Sequence, residues 1–144
     1  FSEAERFTGG DLSQWETSSV TDMSGMFDNA YEFNSNLANW DVSSVTDMSG
    51  MFWNTDQFSA DISQWDVSSV TDMGGMFASS SFNQDIGGWN VDNVEDIDYM
   101  FYDASNFNQN LNAWDDNGWG GSAPTMTAAF GGSCICDPEW YTGP

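Results

Sequence analysis

The sequence predicts a repeat solenoid of about 25-residue units, each with a short parallel β-strand, a helical turn and a return loop. Three observations carry this. Trp15, Trp40, Trp65, Trp89 and Trp114 are separated by 25, 25, 24 and 25 residues, and a fixed period of roughly 20–50 residues marks units that bury their apolar face on one another. Each Trp stands in the same phrase, clearest in Trp40-Asp41-Val42-Ser43-Ser44-Val45-Thr46-Asp47-Met48-Ser49-Gly50-Met51-Phe52. Within that phrase the apolar spacing changes from alternation to steps of three and one, as where a strand hands over to a helical turn.

The elements follow in order. Phe1, Ala4 and Phe7 repeat the spacing of Phe27, Ala30 and Phe33, so residues 1–10 read as a partial repeat. Five units centred on the Trp residues then make one domain over 1–133, and 134–144 is a tail. In each unit Leu37, Trp40 and Val42 mark the strand. Val45, Met48, Met51 and Phe52 mark one face of the helical turn, with Ser44 or Thr46 as cap and Asp47 at its positive end. The return loop ends at Phe58. In the last unit Trp114 to Phe130 spans sixteen residues where Trp40 to Phe52 spans twelve. About four residues are inserted near Asp116–Gly120, and Pro124 follows, which suits a degenerate capping repeat.

Stacking places equivalent residues in columns about 5 Å apart. The expected core columns are Trp15/Trp40/Trp65/Trp89/Trp114, Val20/Val45/Val70/Val94, Met23/Met48/Met73/Ile97 and Phe27/Phe52/Phe77/Phe101/Phe130. An Asn column, Asn34, Asn83 and Asn108 with Ser59 in the remaining place, is expected to be a buried ladder that satisfies backbone groups.

The Leu37-x-x-Trp40-x-Val42 spacing resembles a leucine-rich repeat. More closely, the W-D-V-S-S-V-T-D-M-x-x-M-F phrase resembles the BspA-like (DUF285) surface-protein repeat over residues 11–130. That resemblance implies a solenoid on a cell surface, in proteins usually called adhesive, and no catalytic residue.

Charge narrows the function. The chain has 23 Asp and Glu, one basic side chain (Arg6) and no His, for a net charge of −22. Nucleic acid and anionic lipid are bound mainly through Lys and Arg, so neither is an expected partner. No apolar run approaches the roughly 20 residues of a membrane span, so membrane insertion by this segment is not expected. Aromatics at 16% of residues argue for a folded core despite the charge. With no initiator Met and no signal-like segment at residue 1, the chain reads as a mature or excised fragment.

The acids fall in columns too. Glu16, Asp41, Asp66, Asn90 and Asp115 follow the Trp residues and would lie on the exposed strand face, a candidate binding surface. Asp22, Asp47, Asp72 and Asp96 lie in the helical turn. Asp11, Asn36, Asp61, Asp85 and Asn110 alternate acid with amide. Like charges about 5 Å apart repel by about 1 kcal/mol in water and more when partly buried. Helix capping with screening would offset this, or Ca²⁺ bridging neighbours such as Asp41 and Asp66. No copy contains an EF-hand-type loop, and no other cofactor is expected.

The hydroxyl columns Ser19/Ser44/Ser69 and Thr21/Thr46/Thr71 fit turn chemistry, with ice binding the remote alternative, since Asp92, Asn93 and Glu95 break them. Cys134 and Cys136 cannot make a four-Cys zinc site within the chain. The Cys134-x-Cys136 tail loosely resembles the end of an EGF-like module, which implies a longer secreted chain. No N-linked glycosylation sequon occurs.

Catalysis by two carboxylates needs unlike environments, whereas these acids recur in equivalent ones. The sequence therefore predicts a non-catalytic extracellular or cell-surface module. It would act in adhesion or in recognition of a protein or glycan, with Trp53, Tyr102 and Trp119 as the variable positions. The alternative is a filament or wall subunit that self-associates end to end.

Overall fold

A computed structural model describes residues 1–116 and 129–131, with the backbone alone described at 115–116. The insertion, Trp119, Pro124, Cys134, Cys136 and the tail lie outside the described residues.

The expected leucine-rich-repeat-like solenoid of strand, helical turn and loop does not form. Among the described residues the only helix is α1, Ala113–Asp116. No strand or sheet forms there: β-pairing is limited to three isolated parallel bridges, Asp22 to Asp47, Asp47 to Asp72 and Asp72 to Asp96.

The reason lies in where the backbone N–H groups go. The N–H groups of Met23, Gly25, Phe27 and Asn29 donate to the carbonyls of Asp47, Ser49, Met51 and Trp53 in the next unit, at 2.8–2.9 Å. Between them Met26, Asp28 and Ala30 donate three residues back, to Met23, Gly25 and Phe27, at 3.0–3.2 Å. Alternate donors thus close turns or tie the units together. An α-helix needs every donor at i−4, and a strand needs an extended backbone that carries no such turns. The supposed strand is turned as well: Trp40 N–H donates to Leu37 O at 3.0 Å and Val45 N–H to Val42 O at 2.9 Å. A turn advances three residues, so it brings Val45, Met48 and Met51 inward at the spacing read as a helix.

Such turns need left-handed residues. Gly25, Gly50 and Gly75 have φ of 56–63°, and Asn29, Asn54 and Ser79 have φ of 52–57°. Glycine adopts this region freely and asparagine tolerates it best among the rest. The same stations in the fourth unit hold Tyr99 and Asp103, at 59° and 55°.

What the units stack on is the expected set of columns. Trp40, Trp65, Trp89, Trp114, Met23, Met48, Met73, Phe27, Phe52, Phe77 and Phe101 are all buried. The exceptions are Val20, half-buried, and Trp15, 41% exposed, which has an indole neighbour (Trp40, 5.9 Å) on one side. Phe27, Phe52, Phe77, Phe101 and Phe130 form a ring column at 5.4–5.8 Å spacing. Phe33, Phe58, Phe82 and Phe107 form a second column against it, 3.8–4.1 Å away within each unit. Each fully buried aromatic side chain contributes about 1.5–3 kcal/mol. Each buried Trp also donates its indole N–H to a carbonyl of the preceding unit: Trp40 to Leu12, Trp65 to Leu37, Trp89 to Ile62 and Trp114 to Ile86, at 3.1–3.2 Å. This satisfies the one polar atom that burial would strand.

Candidate functional site

The three acidic columns turn out to share one local geometry. In the first, Ser43 N–H and Oγ–H donate to Asp41 Oδ1 at 3.1 and 2.6 Å. Ser68 does the same to Asp66, at 3.1 and 2.6 Å. Asp92 N–H donates to Asn90 Oδ1 at 3.0 Å. In the second, Asp22, Asp47, Asp72 and Asp96 accept from the N–H groups of Ser24, Ser49, Gly74 and Asp98 at 2.7–2.9 Å. In the third, Asp11, Asn36, Asp61, Asp85 and Asn110 accept from Ser13, Ala38, Ser63, Gly87 and Asn112 at 2.9–3.0 Å.

These are turns in which a side-chain oxygen accepts from the N–H two residues on. They replace the helix caps expected at Asp47 and the strand face expected for Asp41 and Asp66. The geometry needs an oxygen acceptor but no charge, which explains the interchange of Asp and Asn in the third column. A sequence signal was present: Asp61-Ile62-Ser63, Asp66-Val67-Ser68 and Asp72-Met73-Gly74 place Asp-x-Ser or Asp-x-Gly three times in one unit. Asp41 and Asp66 are exposed, as is Glu16, while the Asp115 side chain lies outside the described residues.

Electrostatics separates positions within a column. The Ser24 hydroxyl and N–H hold the exposed Asp22 carboxyl below its ordinary value of 3.8, and Ser43 and Ser68 do so for Asp41 and Asp66. Asp72 goes the other way. Burial pushes it up by more than the Gly74 N–H draws it down, and Asp96, Asp47 and Asp98 each add a smaller repulsion. Asp66 feels a smaller push from Asp41. Among the described residues no group of three or more His, Cys, Asp or Glu is placed to hold a metal ion.

Other predicted columns have also found backbone work. Asn34 Oδ1 accepts from Ser59 N–H and Asn83 Oδ1 from Asn108 N–H, each at 3.0 Å. The ladder is not buried, however: Asn34 and Asn108 are exposed. The hydroxyls of Thr46 and Thr71 donate to Thr21 O and Thr46 O, each at 3.1 Å. An open cleft of about 490 Å³ lies between the fourth and fifth units, lined by Asp85, Gly87, Gly88, Gln109, Asn110, Asn112 and Ala113. Gly87 and Gly88 stand there in the places of Ser63 and Gln64.

Besides Phe1, Trp15 and Tyr31, the exposed large aromatics among the described residues belong to one turn, at or near the station just after each Phe. That station holds Asp28, Trp53, Ala78 and Tyr102 in successive units. Trp53 is 40% exposed and lies against Gly75, where an added Cβ would meet its ring at 2.9 Å. Tyr99 and Tyr102 are 43% and 46% exposed and meet edge to face at 5.7 Å. Trp53 and Tyr102 are among the positions singled out from the sequence, and both are exposed; Tyr99 is not among them. Its signal is a Tyr in a column that is otherwise Gly.

Backbone, core and acids together define a repeat scaffold whose recurring Asp, Trp, Met and Phe residues hold its turns and core, with Trp53, Tyr99 and Tyr102 exposed at stations that vary. The family described as "Mycoplasma protein of unknown function, DUF285" matches residues 36–132, and the chain belongs to that family. Comparison with curated proteins and with solved structures found no match.

Proposed function

We propose that this chain is a non-catalytic recognition module of a larger extracellular or cell-surface protein. The observation that carries this reading is the division of labour within the unit. Phe27, Phe52, Phe77 and Phe101 are identical and buried, while the next residue varies: Trp53 and Tyr102 are exposed, Asp28 is half-buried and Ala78 is buried. A constant frame with variable exposed aromatics suits binding, since Trp and Tyr supply large contact area at low entropic cost. The carboxylates favour the same reading. They recur as acceptors of their own units' turns, a structural role that accounts for them without acid–base catalysis. Calcium across Asp41 and Asp66 would either compete with Ser43 and Ser68 for Oδ1 or rely on Oδ2 alone.

The test is interferometry with the immobilised chain against panels of purified glycans and proteins, with hydrolase assays on the same ligands. Saturable binding without turnover is the expected result. Turnover abolished by an Asp→Asn change in one unit alone would overturn the reading. Sedimentation velocity on the same sample checks the filament alternative, which requires growth with concentration.

A further inference from the structure

The fourth unit differs from the third at one surface turn. Gly74, Gly75, Ala78 and Ser79 are replaced by Asp98, Tyr99, Tyr102 and Asp103, while Met100 and Phe101 keep the core places of Met76 and Phe77. Small side chains thus give way to two tyrosines and two carboxylates in six residues. Tyr99 takes a left-handed conformation, φ 59°, at a station where the three preceding units have glycine. A bulky residue there is strained by about 1–2 kcal/mol, and such strain persists mainly where function holds it.

The surroundings are strongly negative. The chain carries a net charge of −22 with Arg6 as its single basic side chain. Asp98 adds to the repulsion on Asp72, so this turn adjoins the crowded Asp47, Asp72 and Asp96 column. Trp53 lies on the same strip, over Gly75 and one unit beyond it.

We propose that Tyr99 and Tyr102, flanked by Asp98 and Asp103 and extended by Trp53, form a docking strip for an arginine- or lysine-bearing segment of a partner protein. A guanidinium over a tyrosine face is held by the ring quadrupole within about 6 Å of its centroid. The neighbouring carboxylates supply charge-assisted hydrogen bonds. A cation here also relieves the repulsion along the aspartate column. Charge complementarity selects this partner over a neutral glycan, whose hydroxyls can donate to the carboxylates but which gains no attraction from the net charge of −22. The assignment rests on the recognition reading above and names the partner class for it.

The test uses acetylated, amidated tetra-arginine as probe, titrated calorimetrically at 50 and 300 mM salt, with cellohexaose as the neutral alternative. The double change Tyr99→Gly with Tyr102→Ala restores residues of the third unit and leaves the net charge unaltered. It is expected to weaken tetra-arginine binding by about tenfold at both salt concentrations. Tyr31→Ala, at another exposed tyrosine, changes affinity by less than about twofold. Equal binding by wild type and the double variant would show diffuse attraction only and overturn the strip. So would absence of tetra-arginine binding, or preference for cellohexaose. A hit on the glycan or protein panels alongside any of these would leave the recognition reading standing without the strip.

Discussion

The third and fourth units share one core and differ in their turns. Trp65, Val67, Val70, Met73, Met76 and Phe77 correspond to Trp89, Val91, Val94, Ile97, Met100 and Phe101, all buried. Outside the core, Ser68 becomes Asp92, Thr71 becomes Glu95 and Gly75 becomes Tyr99. Each change removes something the stack uses. Ser68 Oγ–H donates to Asp66 at 2.6 Å and Thr71 Oγ1–H to Thr46 O at 3.1 Å. In place of the first, Asp92 Oδ1 is enclosed with no hydrogen-bond partner. The fold therefore fixes inward residues and turn acceptors closely, and the fourth unit departs from the turn rules at a local cost in stability.

The largest expected effect tests the shared core. Phe77→Ala and Phe101→Ala should each cost about 3–5 kcal/mol, and by similar amounts, in chemical denaturation. A much smaller loss at Phe101 would break the equivalence of the two units. The next pair concerns the left-handed station. Gly75→Ala combines φ +63° with a Cβ that meets the Trp53 ring at 2.9 Å, and should lower stability by about 1–3 kcal/mol. Tyr99→Gly should raise it by up to about 1 kcal/mol, because the strain goes while the tyrosine pair is lost. A gain of similar size, about 1 kcal/mol, is expected from Asp92→Ser, which replaces an unpartnered buried oxygen by the hydroxyl of the third unit. Thermal unfolding of the variant beside the wild type checks it.

Much of this was legible before any coordinates. The period, the Trp stations and the Phe and Met columns follow from spacing, because burial acts alike on every unit, the exposed Trp15 of the first excepted. The secondary structure was not. Val45, Met48 and Met51 recur at steps of three whether a helix or successive turns bring them inward, and only the hydrogen bonds of Met23, Gly25 and Phe27 into the next unit distinguish the two. The acids were misplaced for a related reason. Asp41 and Asp47 were weighed as charges, and their role is that of oxygen acceptors, which the recurring Asp-x-Ser spacing encodes. Tyr99 went unnoticed because its meaning depends on φ, which a hydrophobicity pattern does not carry.

Stability should vary with pH in two opposite senses. Asp72 and Asp28 have carboxyls raised by burial. The folded state takes up their protons first, so stability rises as pH falls from neutrality toward the ordinary value of 3.8. Relief of the overall charge acts in the same direction. Asp11, Asp22, Asp41, Asp61 and Asp66 are lowered by their serine donors. Their contribution is present above 3.8 and is lost as pH falls through their folded values. A melting profile across pH 2–8 should therefore peak on the mildly acidic side; a monotonic fall from neutrality would contradict the raised carboxyls of Asp72 and Asp28, and no fall at the acid end would contradict the lowered ones.

The central claim is that the aspartate columns act as turn acceptors rather than as charges. Asp72 tests it most directly, being half-buried, repelled by three neighbouring aspartates and bonded to the Gly74 N–H at 2.8 Å. Thermal unfolding of Asp72→Asn and Asp72→Ala at pH 7, in EDTA and in millimolar Ca²⁺, separates the alternatives. If the oxygen matters and the charge does not, the Asn variant melts above the wild type and the Ala variant below it, in both buffers. If Asn and Ala both melt below the wild type by similar amounts, the charge itself holds the fold and the account fails.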